Sequence, residues 1–113
     1  MSKRPVALLV DDMIEAIEKI ESYTSGLSEQ SFLKDRKTSD AVVRNLEIIG
    51  EAANRLPEDF KQKHSYVEWP KMVGLRHRIV HDYFDVDLQI VWQILKKDLT
   101  PFRSHLEKIH ATS

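Results

Sequence analysis

Residues 38–57, TSDAVVRNLEIIGEAANRLP, carry the clearest helical pattern in the chain. Apolar residues recur in it every three or four positions, the spacing that places side chains on one face of an α-helix. They are Val42, Leu46, Ile49, Ala53 and Leu56. Thr38 or Ser39 is suited to cap this helix, Asp40 suits its first turn and Pro57 ends it. The pattern predicts a helix over about Asp40–Leu56 with one face on a core.

A second face of the same helix is polar and carries Arg44, Glu47, Glu51 and Asn54 at the same spacing. Such a face is ordinarily in contact with water, and the alternative is a polar wall that lines a cleft or an interface. Gly50 lies inside this helix, where a glycine costs about 1 kcal/mol relative to an alanine. Close approach by another helix would explain a glycine at this position.

Toward the N-terminus the same spacing predicts a first long helix over about Pro5–Tyr23, and Gly26 follows it as a stop signal. Ser28 is suited to cap a short helix over 29–36. Residues 58–69 show a mixed pattern, and we expect an irregular segment there with room for one helical turn.

Toward the C-terminus a third main helix is predicted over 70–81, and a short connection follows at residues 84–86. Asp87 is suited to cap the last main helix, which Thr100-Pro101 should kink or break before a final piece over 102–110. The sequence therefore predicts an all-α, up-and-down bundle of four main helices plus short helices. We expect one domain over 1–113.

Composition narrows the class of protein. The chain has 113 residues, enough for one modest core, in which we expect Trp69 and Trp92 as anchors. Its formal net charge of -1 argues against a broad basic surface for duplex nucleic acid. It has no cysteine, which excludes disulfides, zinc–thiolate sites and thiol nucleophiles. Asp11 and Asp12 interrupt the first apolar run too early for a signal peptide, and no run would span a bilayer. We expect a cytoplasmic protein without membrane contact.

The densest group of chemically useful side chains lies in GLRHRIVHDYFDVD, residues 74–87. A histidine takes or gives a proton near neutral pH, and an arginine presents a fork of N–H donors to phosphate oxygens. Together they suffice to cleave RNA without a metal. His81 would activate the 2′-hydroxyl or protonate the leaving 5′-oxygen, and Arg76 would stabilise the charge on the phosphate in the transition state.

Spacing sets a condition on such a site. Arg76 and His81 are five residues apart, about 140° round an ideal helix, so they do not face each other on one straight helix. They converge if the helix ends before His81, or if two copies of the chain meet across a groove. A symmetric dimer achieves the second, because its two-fold axis duplicates every residue of the interface. Tyr83, seven residues after Arg76, would share a helix face with it.

Simpler roles for these residues stay open. An arginine and a histidine near the C-terminus of a helix also satisfy its last carbonyl groups and its dipole. His77 and His81 are four residues apart, a spacing that can hold a metal ion, with Asp82 or Asp85 as a third ligand. Because no clear third ligand is evident, we predict no metal and no other cofactor.

Four residues separate Arg76 from His81, and one residue separates His81 from Tyr83. This spacing resembles the Arg-x4-His-x-Tyr signature of HepT-like proteins, within the HEPN superfamily. NLEIIGEAANRLP, residues 45–57, is similar to the second long helix of that family. WPKMVGLRHRIVHDYFDVDLQIVW, residues 69–92, is similar to its signature region and last helix. The resemblance covers nearly the whole chain. It implies an all-α bundle that pairs into a homodimer, with the signature in a cleft at the dimer interface.

The resemblance also implies an activity, a metal-independent endoribonuclease that is the toxin of a prokaryotic toxin–antitoxin pair and takes RNA as its substrate. By position, Arg76 and His81 would be catalytic. Tyr83 would be the hydroxyl to which the antitoxin, a minimal nucleotidyltransferase, attaches AMP. The added negative charge and bulk would then block RNA, much as a phosphorylation does.

Five further residues are candidates to line the cleft, namely His77, Arg78, Asp82, Glu47 and Glu51. His77 departs from the pattern of the family, in which a small polar residue, commonly Asn, often follows the signature arginine. A second class of function stays open. In it, the helical dimer binds nucleotides or docks a minimal nucleotidyltransferase and catalyses nothing itself.

Overall fold

The computed structural model describes residues 4–80 and 85–112, and in these ranges the chain is a set of eight α-helices. Four are longer, with 19, 20, 10 and 14 residues, and four are short. In chain order they are α1 (Val6–Thr24), α2 (Glu29–Lys34), α3 (Arg36–Arg55), α4 (Glu58–Lys63), α5 (Trp69–Val73), α6 (Leu75–Ile79), α7 (Leu88–Lys97) and α8 (Leu99–Thr112). The predicted all-α fold is confirmed.

The first two predicted helices are present as α1 and α2. Gly26 has a φ of 78°, the left-handed conformation that glycine adopts without strain, and it turns the chain away from α1. The hydroxyl of Ser28 accepts a hydrogen bond from the backbone N–H of Ser31, as the predicted cap requires. The stop at Gly26 and the cap at Ser28 agree with the prediction, but α2 ends at Lys34 and not at Arg36, which belongs to α3.

The start of α3 differs from the prediction. The helix begins at Arg36, four residues before Asp40, because Asp35 caps it instead of Thr38 or Ser39. The Asp35 carboxylate accepts hydrogen bonds from the backbone N–H and the hydroxyl of Thr38, at 3.0 and 2.8 Å. Thr38 therefore lies inside the first turn of α3.

Three other predictions need correction. Residues 58–63 form the six-residue helix α4, which is longer than the one helical turn that the predicted irregular segment allows. The third main helix is in fact two five-residue helices, because the backbone N–H of Gly74 closes α5 on the carbonyls of Met72 and Pro70. The last break lies at Asp98, before Thr100-Pro101, because Pro101 occupies the first turn of α8, where a proline is tolerated.

The hydrophobic core lies between the long helices. α1 packs along α3, α8 packs on α1 and α7, and the short helices α5 and α6 lie against α3. Fully buried side chains come from six helices, and include Met13, Ile17, Phe32, Leu46, Ile49, Leu75, Ile79, Ile94 and Leu106. Burial of each such side chain stabilises the fold by about 1.5–3 kcal/mol. The core therefore fixes α5 and α6 on the surface of α3.

Both tryptophans are core residues, as predicted. Trp92 of α7 packs on Phe32 of α2 with ring centres 5.2 Å apart and ring planes 37° apart, and Trp69 of α5 meets Phe102 of α8 edge to face at 5.8 Å. The indole N–H of Trp69 donates to the carbonyl of His64. These contacts attach the short helices to the long ones.

Candidate functional site

A groove runs between α3 and the α5–α6 pair and has a volume of about 450 Å³. Its polar lining comes from Glu47, Glu51 and Asn54 on α3 and from Arg76 and His77 on α6. Apolar and glycine residues complete it, namely Leu46, Gly50, Val73 and Gly74. The polar face of α3 therefore lines a groove, while Arg44 from the same predicted face lies in a neighbouring depression between α1 and α3.

Arg76 lies in α6, and its side chain is 74% exposed. Its Nη1 atom lies 3.6 Å from Oε2 of Glu47, across the groove on α3. The structure thus brings the predicted catalytic arginine and a predicted cleft-lining carboxylate to one place. An exposed guanidinium at a groove can present N–H donors to a phosphate group.

Glu51 lies one turn after Glu47 and has a different partner. Its Oε1 atom accepts a hydrogen bond of 2.9 Å from Arg55, four residues further along α3. Of the residues that line the groove, one is a cation and two are carboxylates, with His77 as a titratable neighbour. The groove therefore has a mixed charge.

Arg78 was expected to line the cleft as well, but it is not one of the residues that line this groove. Its Nη2 atom lies 2.8 Å from Oδ2 of Asp98, at the junction of α7 and α8. The Asp98 side chain is only 15% exposed, so the ion pair is largely removed from water. This contact joins α6 to the C-terminal helices, and the two residues are too far apart in sequence for local spacing to have indicated it.

His81, Asp82 and Tyr83 lie outside the described residues, and so does Phe84 of the predicted connection. The structure does describe both flanks of this segment. α6 ends at Ile79, and Val80 is extended and pairs with Val86 in an antiparallel bridge. The backbone N–H of Asp87 donates to the carbonyl of Ile79 at 2.7 Å, and the Asp87 side chain caps α7 through Ile90. The helix thus ends before His81, one of the two conditions that the spacing set.

Sequence reasoning missed Val73 and Gly74 as groove residues. They line it because the chain breaks between α5 and α6, and the apolar spacing gave no sign of that break. In the parts of the chain that the structure describes, no group of three or more histidine, aspartate or glutamate residues could hold a metal ion. The metal alternative needs His77, His81 and either Asp82 or Asp85, and of these His81 and Asp82 lie outside those parts. No helix in the same ranges is long and apolar enough to cross a membrane.

Comparison with known proteins gives a consistent result. A protein from Thermococcus cleftensis named as a probable ribonuclease HepT is 41% identical over 88% of this chain and 91% of its own length. One from Methanocaldococcus jannaschii named as a putative RNase is 36% identical over 95% of this chain and 98% of its own. Another from that organism, named as a gamma-glutamylcyclotransferase and putative RNase, is 35% identical, and this chain spans 48% of its length.

No solved structure matches the chain. The family model described as ribonuclease HepT-like matches residues 13–109, which include the groove and both flanks of the signature segment. The chain therefore belongs to the HepT-like family of ribonucleases.

Proposed function

We propose that this protein is a metal-independent endoribonuclease whose catalytic residues are Arg76 and His81. The observation that carries the proposal is the exposed Arg76 guanidinium at a groove, in a member of a ribonuclease family. The names of the relatives, which describe ribonucleases, support RNA as the substrate.

The proposed reaction is an internal transfer on the RNA backbone. The 2′-oxygen of a ribose attacks the neighbouring phosphorus, and the bond from phosphorus to the 5′-oxygen of the next nucleotide breaks. The products are a 2′,3′-cyclic phosphate and a free 5′-hydroxyl. Arg76 stabilises the negative charge on the phosphate in the transition state, and His81 moves a proton. Because an arginine supplies the charge, the reaction has no step that needs a metal ion.

We further propose that the protein works as a homodimer, with the groove of each copy at a shared cleft. A two-fold axis would duplicate Arg76, His77 and His81 around one stretch of RNA. The polar face of α3 supports this arrangement, because its glutamates and asparagine line the groove that Arg76 and His77 share.

The proposed biological role is that of a toxin in a prokaryotic toxin–antitoxin pair. The antitoxin would be a minimal nucleotidyltransferase that joins AMP to the Tyr83 hydroxyl. The phenolic oxygen would attack the α-phosphorus of ATP, and pyrophosphate would leave. Each AMP adds a negative phosphate and a nucleoside to the segment that follows α6, so it would repel and obstruct an RNA phosphate.

The experiment is cleavage of total RNA in EDTA by three purified proteins, the wild type, His81→Ala and His105→Ala. His105 is a matched control, because it lies on α8 against the ring of Tyr66 and not at the groove. Intact mass shows whether a sample already carries AMP, and circular dichroism shows that each protein is folded. We expect the wild type and His105→Ala to cleave RNA and His81→Ala to lose cleavage.

Cleavage by His81→Ala at the wild-type rate would refute the catalytic assignment. A strict requirement for added metal would favour the site built on His77 and His81. Absence of cleavage by a folded wild type without bound AMP would instead favour a non-catalytic subunit that docks the nucleotidyltransferase.

A further inference from the structure

Two carboxylates line a groove in which an RNA phosphate would have to bind. Carboxylates repel a phosphate, so a phosphate site with no other task would be expected to lack them. Glu51 is engaged by Arg55 along its own helix. Glu47 lies instead beside Arg76, the residue that would hold the phosphate, and 37% of its side chain is exposed.

The separation of Glu47 and Arg76 also matters. At 3.6 Å, Nη1 and Oε2 form an ion pair but lie beyond the usual range of about 2.7–2.9 Å for a hydrogen bond between charged groups. The Glu47 carboxylate therefore keeps the capacity to accept another proton donor. The 2.9 Å contact of Glu51 with Arg55 is, by contrast, a hydrogen bond.

We propose that Glu47 is the general base of the cleavage reaction and accepts the proton of the attacking 2′-hydroxyl, an inference that rests on the proposed function. A phosphate bound to the Arg76 guanidinium would lie next to the wall of α3 that carries Glu47. A base must come within hydrogen-bond reach of the proton that it takes, and Glu47 is the carboxylate of this wall that lies beside Arg76.

The assignment gives the two proton transfers to different residues. The proton of the 2′-hydroxyl moves to Glu47 as the 2′-oxygen bonds to phosphorus. The bond between phosphorus and the 5′-oxygen breaks, and that oxygen takes a proton from the His81 imidazolium. At the end of the step Glu47 has gained a proton and His81 has lost one. No oxidant, reductant or metal takes part. His81 is then the acid, which decides between its two possible roles.

Other titratable groups face Glu47 and could alter the pH dependence. In the groove these are Arg76 and His77 from α6 and Glu51 from α3, while α5 and its capping residue contribute Val73 and Gly74. His77 is the histidine that lines the same groove. The test therefore includes His77→Asn.

The test compares two RNA oligonucleotides, one with an ordinary linkage and one with sulfur in place of the 5′-bridging oxygen. A thiolate leaves without protonation, so the sulfur substrate needs a general base but no general acid. For Glu47→Gln we expect kcat/KM to fall about 100-fold or more on both substrates. For His81→Ala we expect a similar fall on the oxygen substrate and recovery to within about tenfold of wild type on the sulfur substrate.

A pH profile separates a base from a residue that only orients Arg76. Without its general base the enzyme depends on hydroxide, so the rate of Glu47→Gln should rise with pH where the wild-type rate is flat. A residue that only orients Arg76 would leave the shape of the profile unchanged. The profile of His77→Asn should keep the wild-type shape on the acid side.

Two variants control for charge. Glu51→Gln removes the same charge from the same groove, and we expect a loss of less than about fivefold. Glu15→Gln breaks an exposed ion pair with Lys19 on α1, away from the groove, and should cleave like the wild type. Glu15, Glu47, Glu51 and His77 are exposed or half-exposed helix positions, and Glu47→Asp gives a second carboxylate variant with partial activity.

Three results would overturn the assignment. These are wild-type cleavage by Glu47→Gln, recovery of Glu47→Gln on the sulfur substrate, and a profile of unchanged shape in that variant. Each leaves the proposed ribonuclease function intact, because the wild type still cleaves the oxygen substrate. Failure of the unmodified wild type to cleave either substrate would refute both proposals.

Discussion

Gly50 of α3 lies so close to α5 that a Cβ atom added to it would be 3.1 Å from the carbonyl oxygen of Met72. That oxygen is held in place, because it accepts the backbone N–H of Gly74 at the end of α5. Gly50 therefore allows the backbones of the two helices to approach. The same residue lines the groove, so this approach also sets the distance between the walls that carry Glu47 and Arg76.

Substitution of Gly50 should therefore destabilise the protein, although the position is inside a helix. Alanine gains about 1 kcal/mol of helix propensity, but its Cβ meets a backbone oxygen that cannot move as a side chain would. We expect Gly50→Ala to lower the free energy of unfolding by about 1 kcal/mol and Gly50→Val by about 2–3 kcal/mol. Urea unfolding measures both. A gain in stability for Gly50→Ala would show that α5 can shift away at little cost.

Arg76→Ala should remove activity and leave the fold intact. The side chain is largely exposed and contacts the exposed edge of Glu47, so its loss should change the free energy of unfolding by less than about 0.5 kcal/mol. Loss of a group that stabilises transition-state charge should lower kcat by about 10²–10³-fold. RNA cleavage and urea unfolding test the two parts.

Arg44→Ala is the matched control for this prediction. Arg44 is an exposed arginine on α3 that lines the depression beside α1 and not the groove. We expect it to cleave at the wild-type rate at the same salt concentration. Equal losses for the two arginine variants would mean that general attraction of RNA, and not catalysis at Arg76, explains the effect.

The core could be predicted from the sequence because burial follows a simple spacing. Leu46, Ile49 and Ala53 recur at helical intervals, and all three are buried. The start of α3 could not, because Asp35 and Thr38 are both good caps and the first buried apolar residue is Val42. With no apolar residue in the first turn, spacing carries no information on where the helix begins.

The break between α5 and α6 was hidden for a related reason. Met72, Leu75 and Ile79 are buried at the spacing of one continuous helix, so the pattern fits a broken helix and an unbroken one equally. The sequence predicts which carboxylates lie near the site, but not which of them contacts Arg76. The sequence placed Glu47 and Glu51 on one face, but only the packing of α6 on α3 shows which of them meets Arg76.

The cap at Asp35 makes a prediction about acid. Hydrogen bonds from the backbone N–H and then the hydroxyl of Thr38 lower the pKa of Asp35 in the folded state. Because the native pKa is lowered, the ionised Asp35 cap contributes its full stabilisation at pH values above the pKa of an aspartate in the unfolded chain, about 3.9. It is lost as the pH falls through the native value. The cap should therefore weaken in acid.

Asp35→Asn isolates this effect, because asparagine is also a good N-cap and does not titrate. We expect the wild type to melt at a higher temperature than Asp35→Asn at pH 6, and the difference to shrink as the pH is lowered from 6 to below the unfolded value of about 3.9. Thermal unfolding by circular dichroism measures it. A difference that stays constant over this range would show that the Asp35 carboxylate does not contribute as an anion.

Substitution of Arg78 should lower the stability of the protein, whereas substitution of Arg76 should lower its RNA cleavage. Asp98 is 15% exposed, and Arg78→Ala would leave its carboxylate in a poorly hydrated position without this cation. A buried polar group that loses its partner destabilises a protein by about 1–3 kcal/mol. Because Arg78 is itself partly exposed, we expect Arg78→Ala to lower the free energy of unfolding by about 1–2 kcal/mol. Arg55→Ala breaks an ion pair in which both side chains are at least 60% exposed, and it should cost less than about 0.5 kcal/mol.

The Arg78→Ala variant should still cleave RNA when it is folded, so cleavage is measured well below its melting temperature. Two results together would contradict this assignment. They are a loss of cleavage by Arg78→Ala larger than its unfolded fraction explains, and a free energy of unfolding equal to that of Arg55→Ala. Arg78 would then be a residue of the cleft, as the sequence predicts.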